Sequence, residues 1–399
     1  MLFSSISFLF LYLPLVLTGN TLLPGRLRLP FLFLMSLLFY GWGEPGTVLM
    51  MLASILITWA CARGMAANPR RKKALLILSV GSQLLILGYF KYAGLFVPVL
   101  EAALPAGISF YTFQAIGYTV DVYRQDIPAD NSLLRYGTFI TLFPQLIAGP
   151  IERYGDIRPQ LEMPQISWPN FAAGTRLFVI GLSKKLLLAN AAGQMWEGLK
   201  DTPGLNGWLG NWAGLLAFAF QIYFDFSGYS DMARGLGRMI GIRFRKNFLY
   251  PYAARTVTDF WRRWHVTLSG WFRDYVYIPL GGSRRGIGRQ MVNLLVVWGL
   301  TGLWHGASLN FVIWGLYYAV LLILEKSLLY RVYARLPVTL GWLPRLLTLL
   351  MVLVGWCVFA FTDFGGMQAY LQGLVSGPAF DPVSLGFVRA FLPLMAVCA

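Results

Sequence analysis

The sequence has 399 residues, of which 57% are hydrophobic and only 13% are charged. Soluble domains carry about 25% charged residues, so the composition excludes an ordinary soluble domain, a disordered chain and a secreted disulfide scaffold. The three cysteines, Cys61, Cys357 and Cys398, lie far apart and form no Cys-x-x-Cys or Cys/His cluster, which predicts neither a disulfide framework nor a zinc site. We therefore predict an all-α polytopic membrane protein.

The charge balance is strongly basic, with 33 Lys and Arg residues against 17 Asp and Glu residues. A basic balance can indicate nucleic-acid binding, but the sequence has no soluble basic domain to carry it. In a membrane protein, such an excess is typical of cytoplasmic loops and of contacts with anionic headgroups. Nucleic acid is therefore not an expected partner.

The apolar runs predict eight to eleven membrane helices, because about 20 apolar residues cross a bilayer as a helix. The first run, residues 2–17, has no basic residue before it and no small-residue cleavage site after it, which favours a retained helix over a signal peptide. The other runs lie at about 30–42, 46–62, 74–92, 132–149, 171–189, 208–224, 291–304, 306–324, 344–362 and 385–398.

Two short basic loops indicate the orientation of the chain. Arg26 and Arg28 lie in one loop, and five Lys or Arg residues lie between positions 63 and 73 in the other. Two predicted crossings separate the loops, so both face the same side, which the positive-inside rule makes cytoplasmic. The amino terminus is then expected on the extracytoplasmic side.

The stretch 225–290 differs from the rest, because it holds 12 of the 33 basic residues and is also rich in aromatic residues. Its segments D-F-W-R-R-W-H (259–265) and W-F-R-D-Y-V-Y-I-P-L-G-G (271–282) are too polar to face lipid and too aromatic for an ordinary loop. Irregular backbone at membrane depth is tolerated when it lines a wet cavity or is buried in protein. We predict short re-entrant or interfacial helices that form the floor of a cytoplasm-facing cavity. A peripheral amphipathic helix in the headgroups is the alternative.

The sequence contains only two histidines. His305 lies in T-G-L-W-H-G-A-S (301–308), near the middle of the apolar stretch between Gln290 and Glu325. An ionisable group at that depth indicates a functional site, and its small neighbours would admit a ligand or another helix. A neutral histidine in a helix–helix contact is the alternative interpretation.

His265 is flanked by Arg262, Arg263 and Trp264. Neighbouring cations disfavour protonation of the imidazole, although a histidine in a belt that faces headgroups would have the same neighbours. Together, the two histidines suggest general-base chemistry on a hydroxyl or thiol. With few carboxylates nearby they fall short of a metal-ligand set, so no metal site is predicted.

Six basic residues between positions 243 and 263 are candidates for holding phosphate groups, with ordinary attraction to headgroups as the alternative. They are Arg243, Arg245, Lys246, Arg255, Arg262 and Arg263. We expect the nearby carboxylates to be partners of these arginines rather than catalytic acids. These carboxylates belong to Asp225, Asp231, Asp259 and Asp274.

Several long segments resemble the membrane-bound O-acyltransferase (MBOAT) family, in particular its alginate O-acetyltransferase-like branch, which acts in bacterial polysaccharide acetylation. They are P-A-G-I-S-F-Y-T-F-Q-A-I-G-Y-T-V-D-V-Y-R (105–124), F-P-Q-L-I-A-G-P-I-E-R-Y (143–154), Y-F-D-F-S-G-Y-S-D-M-A-R-G-L-G-R-M-I-G (223–241), N-F-L-Y-P-Y (247–252), D-F-W-R-R-W-H-V-T-L-S-G-W-F-R-D-Y-V-Y-I-P-L-G-G (259–282) and G-L-W-H-G-A-S-L-N-F-V-I-W-G (302–315). The resemblance covers almost the whole chain, and the segment 259–282 is its most specific part.

The resemblance implies a ring of membrane helices around a central tunnel, with His305 as the catalytic base and His265 as a second catalytic group. The indole N–H groups of Trp261, Trp264 and Trp304, or His265 itself, are candidate donors to a developing oxyanion. The expected donor-binding or tunnel-lining residues are Trp261, Arg262, Arg263, Trp264, Trp304, Asp259, Arg243 and Lys246.

The same resemblance implies transfer of an acetyl group from a cytoplasmic donor, acetyl-CoA, with no permanently bound cofactor. The acceptor system would be an extracellular polysaccharide such as alginate, reached through an extracytoplasmic partner acetyltransferase at the bacterial inner membrane. D-alanyl or other acyl transfer is the alternative within the family. Outside it, a transporter component or a scaffold without chemistry stays open, although the internal repeats of many transporters are not evident.

The domain organisation is predicted as one membrane-embedded domain over residues 1–399. Within it, we expect amino-terminal helices over 1–100, a catalytic core over 105–325 and carboxy-terminal helices over 326–399. Relatives of this branch usually continue with more membrane helices after the motif-like segment 355–361. The resemblance therefore implies either a short member of the family or a truncated one.

Overall fold

The computed structural model describes residues 2–96, 103–201, 206–379 and 381–398. Within these ranges the chain is helical and has no β-strand. The α-helices in chain order are α1 Leu13–Leu22, α2 Gly25–Gly43, α3 Val48–Ala67, α4 Lys72–Phe96, α5 Ile108–Arg124, α6 Leu133–Thr141, α7 Phe143–Leu146, α8 Tyr154–Glu162, α9 Trp168–Ser183, α10 Asn190–Lys200, α11 Trp208–Met239, α12 Val257–Arg263, α13 Val266–Phe272, α14 Ile287–His305, α15 Leu309–Leu324, α16 Tyr330–Tyr333, α17 Leu343–Ala360, α18 Phe364–Gly373 and α19 Pro382–Cys398.

Four helical stretches of the described chain are long and apolar enough to cross a bilayer. They are Pro45–Ala67, Pro69–Gly94, Leu309–Tyr333 and Val338–Ala360. Other expected membrane segments are helical as well, but they are shorter, interrupted or more polar, as in Phe8–Leu22 and Pro382–Cys398. The all-α polytopic membrane fold is therefore confirmed, while the total of eight to eleven crossings stays a prediction.

The two basic segments near the amino terminus are separated by two complete helices. Arg26 and Arg28 lie in the first turns of α2, and the basic residues at 63–73 extend from the last turns of α3 to the first turn of α4. Of these two helices, α3 belongs to a candidate span and α2 does not, so the predicted orientation stays a prediction.

The chain divides into two compact units. One comprises Met1–Leu182 and Tyr229–Lys246, and the other comprises Ser183–Gly228 and Asn247–Ala399. The expected amino-terminal helices fall in the first unit and the expected carboxy-terminal helices in the second, whereas the expected core 105–325 contributes to both. A single domain over the whole chain stays a prediction.

The first unit is built around aromatic side chains and close helix contacts. Phe8, Tyr12 and Phe39 pack with ring centroids 5.5–6.0 Å apart, and the Tyr12 hydroxyl donates to a backbone carbonyl of α2 at 2.8 Å. A Cβ added to Gly174 in α9 would lie 2.6 Å from the carbonyl oxygen of Gly235 in α11. Glycine at both positions lets the two helices approach closely, as small residues do in membrane proteins.

Helix α11 departs from the sequence-based expectation. We predicted a membrane helix over 208–224 followed by short helices, but the structure continues the helix to Met239, for 32 residues in all. The polar second half stays helical because its charges are paired, as between Asp231 and Arg234, which are one turn apart with N–O 2.9 Å. The predicted short helices begin only after residue 256, at α12 and α13.

The second unit holds a closely packed hairpin of α14 and α15. A Cβ on Gly302 would collide with the carbonyl oxygen of Phe311, and a Cβ on Gly315 would collide with that of Trp298. The backbones of the two helices therefore touch, which only glycine permits at these positions. The turn between the helices, residues 306–308, immediately follows His305.

Candidate active site

His305 is the last residue of α14 and is half-buried. The helix ends there because the next residue, Gly306, adopts an extended conformation with φ −179°. Aromatic rings surround the imidazole: its centroid lies 4.9 Å from that of Trp314, 5.1 Å from that of Phe359 and 4.7 Å from that of Trp304. The helix end and these rings together fix the position of His305.

His265 lies at the junction of α12 and α13 and is only 3% exposed. Its backbone is left-handed, with φ 45°, a conformation that is uncommon for a residue other than glycine and marks local strain. The surrounding backbone is held in place, since Val266 N–H donates to the carbonyl of Asn247 at 3.0 Å. The carbonyl of His265 in turn accepts from Ser269 N–H at 3.1 Å.

The imidazole of His265 is bonded to the side chain of Asn247. Its Nδ1 lies 3.1 Å from Asn247 Oδ1, which also accepts from the backbone N–H of Thr267 at 3.2 Å and from the Thr267 hydroxyl at 3.0 Å. Asn247 is 1% exposed. A buried amide oxygen therefore organises both the histidine and the first turn of α13.

Burial lowers the pKa of His265, which lies outside the four candidate spans, to about 3. The imidazole is therefore neutral near pH 7, in the direction that the sequence predicts. The physical cause differs, because removal of the charged form from water, rather than the adjacent arginines, accounts for the shift.

The structure brings the two histidines together on the ring of Trp304. The centroid of Trp304 lies 6.4 Å from that of His265 and 4.7 Å from that of His305. These residues come from separate helical segments 40 positions apart in sequence. Their convergence defines the candidate active site within the second unit.

Trp261 and Trp264 lie in the aromatic core beside this site. Trp261 packs on Trp298 at 4.7 Å and on Tyr318 at 4.8 Å, and Trp264 packs on Trp356 at 4.8 Å between ring centroids. The indole N–H of Trp261 is buried and has no acceptor among the described residues. Trp261 thus stays a candidate donor.

Arg263 and Asp259 form an ion pair on α12, with N–O 2.8 Å, as expected for this carboxylate. Arg263 also donates to the carbonyl of Leu249 at 3.3 Å. Arg262 is exposed, and in the described ranges no carboxylate lies within ion-pairing distance of it. The two adjacent arginines therefore differ, since only Arg262 keeps its charge available to a ligand.

Arg243 and Lys246 belong to the first unit. Both are exposed, and Arg243 is bonded there to Gln160 through its backbone N–H at 2.8 Å and to Asn170 through its guanidinium at 3.2 Å. The neighbouring Arg245 is paired with Glu152 at 3.0 Å. The other predicted site residues all lie in the second unit.

Glu325 is a completely buried carboxylate in the π-helical turn after α15. It accepts the backbone N–H groups of Val257 at 2.7 Å and Thr258 at 2.8 Å, together with the Thr258 hydroxyl. A carboxylate at a helix amino terminus satisfies free N–H groups and opposes the positive end of the helix dipole. Glu325 therefore ties α15, in the His305 segment, to α12, in the His265 segment.

Sequence reasoning missed four residues of this site. Asn247 opens the N-F-L-Y-P-Y segment and Glu325 bounds the apolar stretch that holds His305, so both carried a signal in the sequence. Lys326 and Trp314 carried none. Lys326 lies close enough to Arg262 for their charges to repel.

Comparisons with known proteins identify the family of the chain. Residues 122–362 match the membrane-bound O-acyltransferase family. The chain is 41% identical over 380 residues to a probable alginate O-acetylase, AlgI, of Azotobacter vinelandii, with 90% of this chain and 75% of that protein aligned. It is 31% identical over 426 positions to a peptidoglycan O-acetyltransferase of Helicobacter pylori, with 94% and 80% aligned.

A more distant relative transfers a different group. The chain is 29% identical over 276 residues to a teichoic acid D-alanyltransferase of Bacillus subtilis, with 65% of this chain and 67% of that protein aligned. The family match includes both histidines and the aromatic core around them. This chain belongs to the membrane-bound O-acyltransferase family and is a multi-pass membrane O-acyltransferase.

Proposed function

We propose that this protein moves an acetyl group from a cytoplasmic donor, acetyl-CoA, across the membrane for O-acetylation of an extracellular polysaccharide such as alginate. The relatives that cover most of the chain, at 41% and 31% identity, are both named for O-acetyl transfer to a polysaccharide. The D-alanyltransferase relative is less similar and covers only 65% of the chain. Acetyl transfer is therefore the better-supported reaction.

The observation that supports the proposal is the convergence of two histidines and an indole, that of Trp304, in one place. His305 is the general base, because a neutral imidazole is suited to accept a hydroxyl proton near pH 7. It takes the proton of the attacking hydroxyl while the acceptor oxygen bonds to the thioester carbonyl carbon. The C–S bond of the tetrahedral intermediate then breaks, and the thiol leaves with the proton from His305.

The developing oxyanion requires donors that are already oriented. The indole N–H groups of Trp261 and Trp314 are buried and have no acceptor among the described residues. Their ring centroids are 5.6 Å apart, and that of Trp314 is 4.9 Å from that of His305. We assign the oxyanion contact to this pair of indoles, and the aromatic enclosure would also limit thioester hydrolysis by water.

The phosphate groups of the donor would contact Arg262 and Lys326. Thr258, whose N–H and hydroxyl bind Glu325, lies one turn before Arg262 on the same face of α12. Lys326 follows Glu325 directly and lies close enough to Arg262 for the two positive charges to repel each other. An anion between them would relieve their repulsion.

The same proposal gives the enzyme its place and partners. The bacterial inner membrane is the expected location, with the amino terminus outside the cytoplasm according to the basic loops. The acetyl group would leave on that side to an extracytoplasmic partner acetyltransferase, which modifies the polysaccharide. A purified enzyme would therefore need this partner, or a soluble acceptor, for turnover.

Label transfer from radioactive acetyl-CoA tests the proposal, with the protein in nanodiscs together with an alginate oligosaccharide and the candidate partner. We expect the wild type and Arg335→Gln, an exposed control, to release free CoA and label the acceptor. The rate of acetyl transfer by His305→Ala should be at least about 1,000-fold lower than that of the wild type, within the range for removal of a general base. Equal transfer by His305→Ala would exclude His305 from the chemistry, and transfer from a D-alanyl donor alone would replace acetyl-CoA as the substrate.

A further inference from the structure

The bond between Asn247 and His265 determines which nitrogen of the imidazole carries its proton. The backbone N–H of Thr267 can only donate, and it points at the same Asn247 atom as His265 Nδ1, at 3.2 Å. That atom must be the amide oxygen rather than the nitrogen. His265 Nδ1, 3.1 Å from this oxygen, is then the protonated nitrogen, and Nε2 carries the lone pair of the neutral ring.

The alternative orientation of the amide is disfavoured. A reversed Asn247 would direct its NH₂ group at the N–H of Thr267 and place two donors against each other. As it stands, Asn247 Nδ2 is buried and has no acceptor among the described residues. The Thr267 N–H and hydroxyl both donate to Oδ1, and these two bonds, rather than any bond of Nδ2, determine the orientation of the amide.

We propose that Asn247 is a positioning residue that holds His265 in its Nδ1–H form, which makes His265 a neutral hydrogen-bond acceptor for an N–H or O–H group of the substrate. This inference rests on the proposed transfer reaction only for the identity of the substrate. The group that His265 orients is an amide N–H of the donor or a hydroxyl of the sugar acceptor, since both present one hydrogen. His265 is then neither the oxyanion donor nor the base, and the proton passes to His305.

Burial supports this division of roles. A histidine with its pKa lowered to about 3 is a weak proton acceptor but still a good hydrogen-bond acceptor. His305 is half-buried and packs against the indole of Trp304, so it can exchange a proton with the reacting groups. The two histidines therefore perform different tasks: His305 transfers the proton, and His265 accepts a hydrogen bond.

Solid-state NMR of ¹⁵N-histidine tests the tautomer directly, because the chain has only two histidines. The His305→Gln variant in nanodiscs leaves a single imidazole, that of His265. We expect a protonated Nδ1 and an unprotonated Nε2 at pH 7. A protonated Nε2 would overturn the inference, whether or not the protein transfers acetyl groups.

Activity gives a second readout through conservative replacement. His265→Gln places an amide oxygen near the position of Nε2 and keeps an acceptor, whereas His265→Leu keeps none. We expect His265→Gln to retain at least about tenfold more kcat than His265→Leu, which corresponds to about 1.4 kcal/mol. Equal loss in both variants, with the wild type active, would show that His265 itself transfers the proton.

Asn247→Asp adds a pH test. The carboxylate would stabilise protonated His265 and raise its pKa, so activity should fall on the acid side and recover as the pH rises. Asn293→Asp is the matched control, since Asn293 is equally buried and donates to Gly282 at 2.9 Å, away from His265. Identical pH profiles in both variants would contradict the positioning role, while an inactive wild type would instead count against the proposed reaction.

Discussion

The two histidine segments are held in place by different forces. His305 ends a 19-residue helix, and the helical hairpin that carries it is joined through glycine contacts and aromatic packing. His265 lies between two seven-residue helices, which are too short to be stable alone. Hydrogen bonds that the oxygens of Asn247 and Glu325 accept hold those helices instead. The comparison indicates that packing determines the position of the base and polar bonds determine that of its companion.

Because different forces hold the two segments, we expect them to respond differently to mutation. Close packing at backbone atoms cannot relax, so one added methyl group in the hairpin is costly. A hydrogen-bonded junction tolerates changes of volume, but it loses stability when a buried polar group is left without its partner. Four substitutions break or sharpen this contrast.

The largest effect is expected for Gly315→Ala in the hairpin. The added Cβ would meet the carbonyl oxygen of Trp298, and the helices would have to separate. We expect a loss of stability of about 3 kcal/mol or more, at the upper end of the cost of overpacking because the clash is with backbone, and loss of transfer. The measurement is the unfolding midpoint and the folded yield in nanodiscs. Gly299→Ala on α14 is the control, because a Cβ there has no atom within 4 Å; equal behaviour of both variants would contradict the packing argument.

A smaller effect is expected for Glu325→Gln at the junction. The neutral amide keeps one acceptor oxygen but presents an NH₂ group to one of the two N–H groups of α12. Hydrogen bonds to a charged group contribute about 1.5–3 kcal/mol, so the unfolding midpoint of a 399-residue chain should fall by about 2–4 °C and kcat should decrease. Glu197→Gln, an exposed glutamate in the same unit, should change neither quantity. An unchanged midpoint and kcat in Glu325→Gln would show that the carboxylate does not anchor α12.

The smallest effect is expected at the arginines. Arg262→Glu should raise the KM for acetyl-CoA about fivefold at low salt and less at high salt, where exposed charges are screened. Acetyl-pantetheine, which lacks the nucleotide phosphates, should show no such change. Arg263→Glu should act mainly on stability, because Arg263 is already paired with Asp259. A KM for acetyl-CoA that is the same at every ionic strength would exclude Arg262 from phosphate binding.

Much of the fold could be predicted because apolar runs and helix formation depend on neighbouring residues. The runs at 46–62 and 74–92 correspond to α3 and α4, and the short polar–aromatic segments after 256 correspond to α12 and α13. The continuation of α11 to Met239 was missed, because its charges suggested a break in the helix whereas pairs such as Asp231–Arg234 neutralise them. The amino-acid composition of a segment shows how many charged residues it has, but not which of them form ion pairs.

The sequence by itself determined the membrane class, the family and the two histidines, since rare ionisable residues in apolar segments and long specific motifs are local signals. Only the tertiary structure decided which groups meet. It joined His265, Trp304 and His305, it paired Arg263 but left Arg262 available, and it placed Asn247 against the imidazole. Hydrogen-bond partners and burial depend on contacts between residues distant in sequence, and these two properties set the protonation of a side chain and its chemical task.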